Sequence, residues 1–144
     1  MKIEAGKPGP EHDRLRRELE SWAISKGFSK EEPNLPSGKI PDVVRYTLNG
    51  ESLFIGDAKD SENETSDDEK THSQIKSYFG EFASLVSEDK IEGGIIAIAT
   101  NSKETASDWK LSLNTTLAAN FSGSLDFQIL EKSKRTWIIY WSLG

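Results

Sequence analysis

The chain has 144 residues, with 18 lysines and arginines against 24 aspartates and glutamates, for a net charge of −6. That length suits a single domain with one real core, and the acidic balance argues against a general nucleic-acid coating protein, which would be basic. With no cysteine and only His12 and His72, a disulfide framework, a thiolate metal site and a histidine-rich metal site are excluded.

Residues 1–10 carry Gly6, Pro8, Gly9 and Pro10 and read as a flexible lead-in. They lack the apolar stretch of a secretory signal, and no run in the chain is long enough to span a bilayer. A cytoplasmic protein without a membrane partner is expected. From Glu11 to Lys26, Leu15, Leu19, Trp22 and Ala23 recur at helical spacing and form one apolar stripe. Gly27 suits the C-terminal cap. Glu11 and Glu18 sit on or beside that stripe. The first third also carries Arg14, Arg16, Arg17, Lys26, Lys30, Lys39 and Arg45, a basic bias suited to a polyanion.

Phe28 to Glu32 reads as a short strand. Pro33, Asn34, Pro36, Ser37 and Gly38 then make a loop, and Pro41 suits the start of a strand. The stretch Ile40 to Asp60 contains two extended runs joined at Asn49-Gly50, the strongest short-range signal for a two-residue hairpin turn. That register places Tyr46 opposite Leu53, Val44 opposite Ile55 and Asp42 opposite Asp57. These residues, with Lys59, share one face because side chains alternate along a strand. Directly opposite Cβ atoms lie about 5 Å apart, so two facing carboxylates repel unless a positive charge sits between them. A divalent metal meets that need.

Asp57, Asp60, Glu62, Glu64, Asp67, Asp68 and Glu69 follow within a short span and read as a solvated loop. A second helix is expected from Thr71 to Val86, with Ile75, Tyr78, Phe79, Phe82, Ala83 and Val86 as its apolar stripe. Gln74 lies one turn before Tyr78 in the same column. After Gly93-Gly94, the apolar run Ile95–Ala99 predicts a strand buried on both faces. A third helix is expected over Lys103–Asn120, with Ala106, Trp109, Leu113 and Leu117 on one face. Leu125–Leu130 and Thr136–Leu143 read as two final strands, separated by a charged turn from Glu131 to Arg135. In the last strand Trp137, Ile139 and Trp141 share one face and Ile138 and Tyr140 the other. That strand is either central or covered by a second subunit.

This order predicts an α/β fold: a mixed central β-sheet flanked by helices. The helix over 71–86 should act as a crossover that leaves the strand at 95–99 parallel to the one before it.

Pro41-Asp42, then Asp57-Ala58-Lys59, then Gln74 on the following helix resemble the PD-(D/E)xK nuclease superfamily. The resemblance spans roughly residues 11–100 and implies a restriction-endonuclease-like αβββαβ core, extended by a helix and C-terminal strands. The Gln74…Tyr78 spacing is similar to the Q-x-x-x-Y element of the RecB-type branch. The LPSGKIPD stretch, and the Arg-Glu-Leu of the first helix with the Gly-Phe after it, look like archaeal Holliday-junction resolvases.

The family implies a metal-dependent endonuclease hydrolysing DNA phosphodiesters, with Mg²⁺ or Mn²⁺ as cofactor. It implies Asp42, Asp57 and the Ala58 carbonyl as metal ligands. Lys59 would orient or activate the attacking water, and Gln74 would hold that water or the substrate. Ser37, Lys39, Arg45 and Tyr78 are weaker candidates for substrate contact. Many members place a Glu on the first helix, aimed at the metal. Counted back from Gly27-Phe28, the resolvase-like position falls on Arg16, which leaves Glu11 or Glu18 as the acids that helix can offer. A homodimer is expected, because one site cuts one strand. The alternatives are a nuclease-fold protein with weak or no catalysis that binds nucleic acid or a protein partner, and an RNA-directed or toxin-like nuclease.

Overall fold

A computed structural model of the chain describes residues 9–64, 69–118 and 126–143. Its elements run helix α1 (Pro10–Ser25), strands β1 (Lys30–Glu31), β2 (Val43–Tyr46) and β3 (Ser52–Lys59), helix α2 (Glu69–Ser87), strand β4 (Gly93–Thr100), helix α3 (Lys103–Ala118), and strands β5 (Gln128–Ser133) and β6 (Thr136–Leu143). The strands form one six-stranded sheet in the order β1-β2-β3-β4-β6-β5. Only β3 and β4 pair in parallel, and α2 joins them, as the crossover argument predicts. The fold is a mixed α/β sheet flanked by three helices. Much of the expected lead-in, the loop acids Asp67 and Asp68, the expected end of the third helix at Asn120, Leu125 and the side chain of Leu117 lie outside the described residues.

The apolar stripes of the helices divide between the two faces of this sheet. Leu15, Leu19, Trp22 and Ala23 of α1 cover Val43, Phe54, Ala58, Ile95, Ala97, Ala99 and Ile138. On the opposite face α2 and α3 cover Val44, Leu53, Ile55, Ile96, Ile98 and Ile139. Residue parity along β3 and β4 thus decides which helix each side chain meets. With both faces covered, every residue of β4 is buried, which explains its unbroken apolar sequence. The stripe of α2 ends on Leu85 with Val86 partly buried, while Ala83 is exposed. A step of three from Phe82 keeps Leu85 on the sheet, whereas Ala83 turns outward.

The hairpin register holds, and the turn differs. Val44 pairs with Ile55 and Tyr46 with Leu53. The Thr47 N–H donates to the Ser52 carbonyl, and the Gly50 N–H closes a turn on the Thr47 carbonyl at 2.8 Å. Gly50 has φ +77, whereas Asn49 is not among the residues with positive φ. The connection is therefore four residues long, not the two-residue turn that needs positive φ at both Asn49 and Gly50. A four-residue loop in place of two removes one residue from each strand symmetrically, so every remaining pair is unchanged.

At the other end of the chain, β5 runs through Ser133, and the turn shrinks to Lys134-Arg135, with Arg135 at φ +65. The charged segment expected as a turn is thus mostly edge strand. Lys132 and Ser133 are held there by Glu18 of α1. β6 lies between β4 and β5. Its Trp141 packs on Phe79 and Phe82, and its Tyr140 packs on Trp22. Of the two explanations for its double apolar face, the central position is the one realised. Among the described residues no helix is long and apolar enough to cross a membrane.

Candidate active site

Asp57 and Lys59 end β3 on the α2 face, two residues apart, and Asp42 stands just before β2 at the same end of the hairpin. The conserved pair sum of the register brings Asp42 opposite Asp57. The two then interlock through the main chain. The Asp42 N–H donates to Asp57 Oδ1 at 2.9 Å, and the Ala58 N–H donates to Asp42 Oδ2 at 2.8 Å. Ala58 therefore meets Asp42 through its N–H. Lys59 Nζ lies 3.4 Å from Asp57 Oδ2 and 3.2 Å from Glu64, and it donates to Gln74 Oε1 at 3.0 Å. The second helix thus contributes Gln74 as its spacing suggests.

This cluster is deeply placed. Asp57 is 3 % exposed and Lys59 4 %. Asp57 Oδ2 is buried with no hydrogen-bond partner among the described residues. Burial raises the Asp57 pKa to about 6, and the negative charge of Asp42 adds to that rise, while Lys59 opposes it. Burial also works to raise Asp42, but its bond from His12, the Ala58 N–H and the Lys59 charge outweigh it and hold its pKa below the ordinary value. For Lys59, burial favours the neutral amine, but Asp57, Glu64 and Asp42 outweigh it and keep the ammonium. Tyr78 is held as the neutral phenol by burial first and then by the charges of Asp57 and Asp42. Two facing carboxylates with opposite shifts are the pattern expected where one must share space with a cation.

The first helix supplies something other than an acid. Its His12 places Nε2 3.1 Å from Asp42 Oδ2, while Nδ1 is buried without a partner among the described residues. Glu11 instead receives a two-pronged bond from Arg14 at 2.8 and 2.9 Å and a third from Asn101. Glu18 binds Lys132 and Ser133. Neither glutamate meets Asp42 or Asp57, because the phase of α1 turns Glu11 toward the β4 end and Glu18 toward β5. Arg16 pairs with Glu20. His12 continues the buried stripe three residues before Leu15, and that spacing is the signal by which the sequence could have offered it.

Three further candidates lie elsewhere. Arg45 is 8 % exposed, on the α1 face, and spends its guanidinium on Glu20 and on the carbonyls of Phe28 and Ser29. It is a buried cation whose donors are taken up within the fold. Ser37 and Lys39 are tied to Glu81, about two turns along α2 from Gln74. Thr100, the β4 partner of Lys59, is a polar neighbour that sequence reasoning passed over. It is fully buried, and its hydroxyl has no partner among the described residues.

Among the described residues, no three His, Cys, Asp or Glu side chains cluster so as to hold a metal by themselves. What the site offers is the facing carboxylates of Asp42 and Asp57, the Glu64 carboxylate on the Lys59 ammonium, one amide and one imidazole. No protein-family model, curated protein or solved structure matches the chain.

Proposed function

We propose that the protein is a metal-dependent endonuclease of the PD-(D/E)xK type that hydrolyses DNA phosphodiesters, and that the run from α1 to β4 is a restriction-endonuclease-like core. The observation that carries this reading is the interlocked pair Asp42–Asp57 with Lys59 and Gln74 beside it. Structural ion pairs are usually satisfied. This cluster leaves Asp57 Oδ2 buried with only the Lys59 ammonium at 3.4 Å and no hydrogen bond among the described residues. It also sets a second carboxylate against it.

Those residues fit a hard divalent cation. Asp42 and Asp57 would hold Mg²⁺ or Mn²⁺, with the Ala58 carbonyl as the third protein oxygen that the resemblance implies. Two carboxylates leave the remaining positions to water and phosphate oxygens, as Mg²⁺ prefers. A bound ion supplies Lewis acidity and a water of lowered pKa. Lys59 stays protonated through its carboxylate partners and offers N–H to a phosphoryl oxygen that gains charge. Gln74 fixes the Lys59 head through its amide oxygen. The neutral Tyr78 hydroxyl adds a donor beside Asp57. With so small a chain, substrate selection would rest on nucleic-acid structure, on a homodimer or on a partner.

A second reading has its own observation. Lys59 is almost completely buried and already holds Glu64 and Gln74, which suits a nuclease-fold protein that binds nucleic acid without cutting it. A cleavage screen separates the two readings. Single-stranded, duplex and branched DNA, and RNA, are incubated with Mg²⁺ or Mn²⁺ and with excess chelator. Metal-dependent cleavage lost in Lys59→Ala and Asp57→Ala supports the nuclease. No cleavage of any form by the wild type, or cleavage unchanged in both variants, overturns it.

A further inference from the structure

We infer that His12 is the residue by which α1 positions Asp42 for the metal, doing by a hydrogen bond what an acidic residue on that helix would do by direct ligation. This rests on the nuclease reading of the Asp42–Asp57 site and adds to it a positioning residue.

Three observations carry it. The first is the contact itself: His12 Nε2 stands 3.1 Å from Asp42 Oδ2, on the same oxygen that accepts the Ala58 N–H at 2.8 Å. The donors fix the plane of the carboxylate from two sides, one from α1 and one from β3. Among the described residues no such contact reaches Asp42 Oδ1, which leaves it as the oxygen to turn toward a ligand. Metal-binding carboxylates are commonly oriented in this way by an outer partner, whose loss weakens metal binding about 10–100-fold.

The second is that the first turn of α1 is held in a frame independent of the site. Arg14 donates to Thr136 Oγ1 at 2.7 Å and to the Arg135 carbonyl at 2.8 Å, at the start of β6. Glu11 accepts from Asn101 just past β4, and the Asn101 Oδ1 accepts the Ser61 N–H just past β3. The helix start is thereby clamped onto the ends of three strands. His12 sits between Glu11 and Arg14, so the clamp fixes where its Cα stands relative to Asp42 and leaves only side-chain rotation to move the ring.

The third is the unused nitrogen. His12 Nδ1 is buried and has no partner among the described residues. An imidazole placed only for helix packing would direct such an atom to solvent. Here the ring accepts an unsatisfied atom so that Nε2 can reach Asp42.

The test uses the full chain with His12→Ala and His12→Gln; the Gln amide nitrogen can take the place of Nε2. Two readouts are needed. In metal-free protein, amide exchange at Ala58 reports whether Asp42 is held, because that N–H donates to Asp42 Oδ2. His12→Ala should speed exchange at Ala58 about tenfold while leaving the Phe54 and Ile55 amides unchanged, and His12→Gln should restore most of the protection. In calorimetric titration with Mn²⁺, His12→Ala should bind about 10–100-fold more weakly than the wild type, with Gln between them. Ala58 protection unchanged in His12→Ala overturns the inference, and so does unchanged Mn²⁺ affinity in a wild type that binds. If the wild type takes up no Mn²⁺ while Ala58 exchange responds as stated, His12 does position Asp42, and it is the nuclease reading that falls.

Discussion

The Asp42 N–H donates to Asp57 Oδ1 at 2.9 Å, so the backbone of one acid supports the side chain of the other. That bond does not compensate for the burial of Asp57, whose pKa stands at about 6 against an ordinary 3.8. A carboxyl whose folded pKa is raised binds a proton more tightly in the native state. Metal-free protein should therefore lose stability as pH rises from about 3.8 through about 6, because the folded state must then carry a buried charge. Asp57→Asn keeps an acceptor for the Asp42 N–H and removes the charge. At pH 7 without metal it should be more stable than the wild type by on the order of 2 kcal/mol. Chemical denaturation at pH 4 and pH 7 checks this, and the difference between the two proteins should nearly vanish at pH 4.

The same charge should make the wild type responsive to metal. A ligand bound only by the folded state stabilises it by RT ln(1 + [L]/Kd), about 2.7 kcal/mol at a hundredfold excess over Kd. Millimolar Mn²⁺ should raise the melting temperature of the wild type and leave that of Asp57→Asn unchanged. Equal shifts in both proteins would place the metal elsewhere.

Glu11 offers a contrast, because it is held by Arg14 and Asn101 away from the carboxylates. The hydrogen bond from Arg14 lowers its pKa to about 2 from an ordinary 4.5. A lowered carboxyl contributes stability that is present above pH 4.5 and lost as pH falls through about 2. Glu11→Gln should cost about 1 kcal/mol at neutral pH, the usual range for a partly exposed pair. It should leave Mn²⁺ affinity within about twofold of the wild type. A tenfold loss of affinity would make Glu11 a ligand after all.

What the sequence disclosed, and what it withheld, follow from the range of the forces involved. The Asp42–Asp57 pairing was legible because register depends only on which residues close the loop, and it survives the change from a two-residue to a four-residue turn. The turn type was not legible. Asn49-Gly50 permits positive φ at both positions, but here only Gly50 adopts it. Gln74 was legible from its helical spacing, since α2 must place its apolar stripe on the sheet. The choice among Glu11, His12 and Glu18 was not, because neighbouring helix positions differ by rotation about an axis that tertiary packing fixes. The clamp of Arg14 on Thr136 and Arg135 makes that choice, and its partners are more than a hundred residues apart in the chain. Arg45 read as a candidate substrate contact because burial of its guanidinium needs Glu20 and two loop carbonyls that only the fold brings together.

That buried cation gives a prediction separate from catalysis. Arg45→Met would leave the carbonyls of Phe28 and Ser29 without their donor and the Glu20 carboxylate with Arg16 alone. Breaking one side of a buried pair costs about 3–5 kcal/mol. Urea denaturation should show a loss of that order, while the folded fraction retains Mn²⁺ binding. Loss of metal affinity at full folding would return Arg45 to the site.

The last prediction concerns how α1 comes close enough for His12 to reach Asp42. Gly56 of β3 lies directly beneath α1. A Cβ there would stand 2.7 Å from Leu19 Cδ2 and 2.9 Å from the Phe54 ring. Both distances are too short for carbon atoms in contact, so Gly56→Ala forces a shift, and overpacking of this kind costs about 1–3 kcal/mol. The Leu19 side chain is the part that can yield. Leu19→Ala alone should cost about 2–5 kcal/mol through lost burial and the cavity it leaves. In the double variant the new methyl occupies part of that cavity, so the two losses should sum to more than the double variant shows, by about 1 kcal/mol or more. Simple additivity would mean that Gly56 does not set the height of α1 over β3. If the cycle shows coupling, Ala58 amide exchange should rise in Gly56→Ala and recover in the double variant, because the helix that carries His12 settles back toward the sheet.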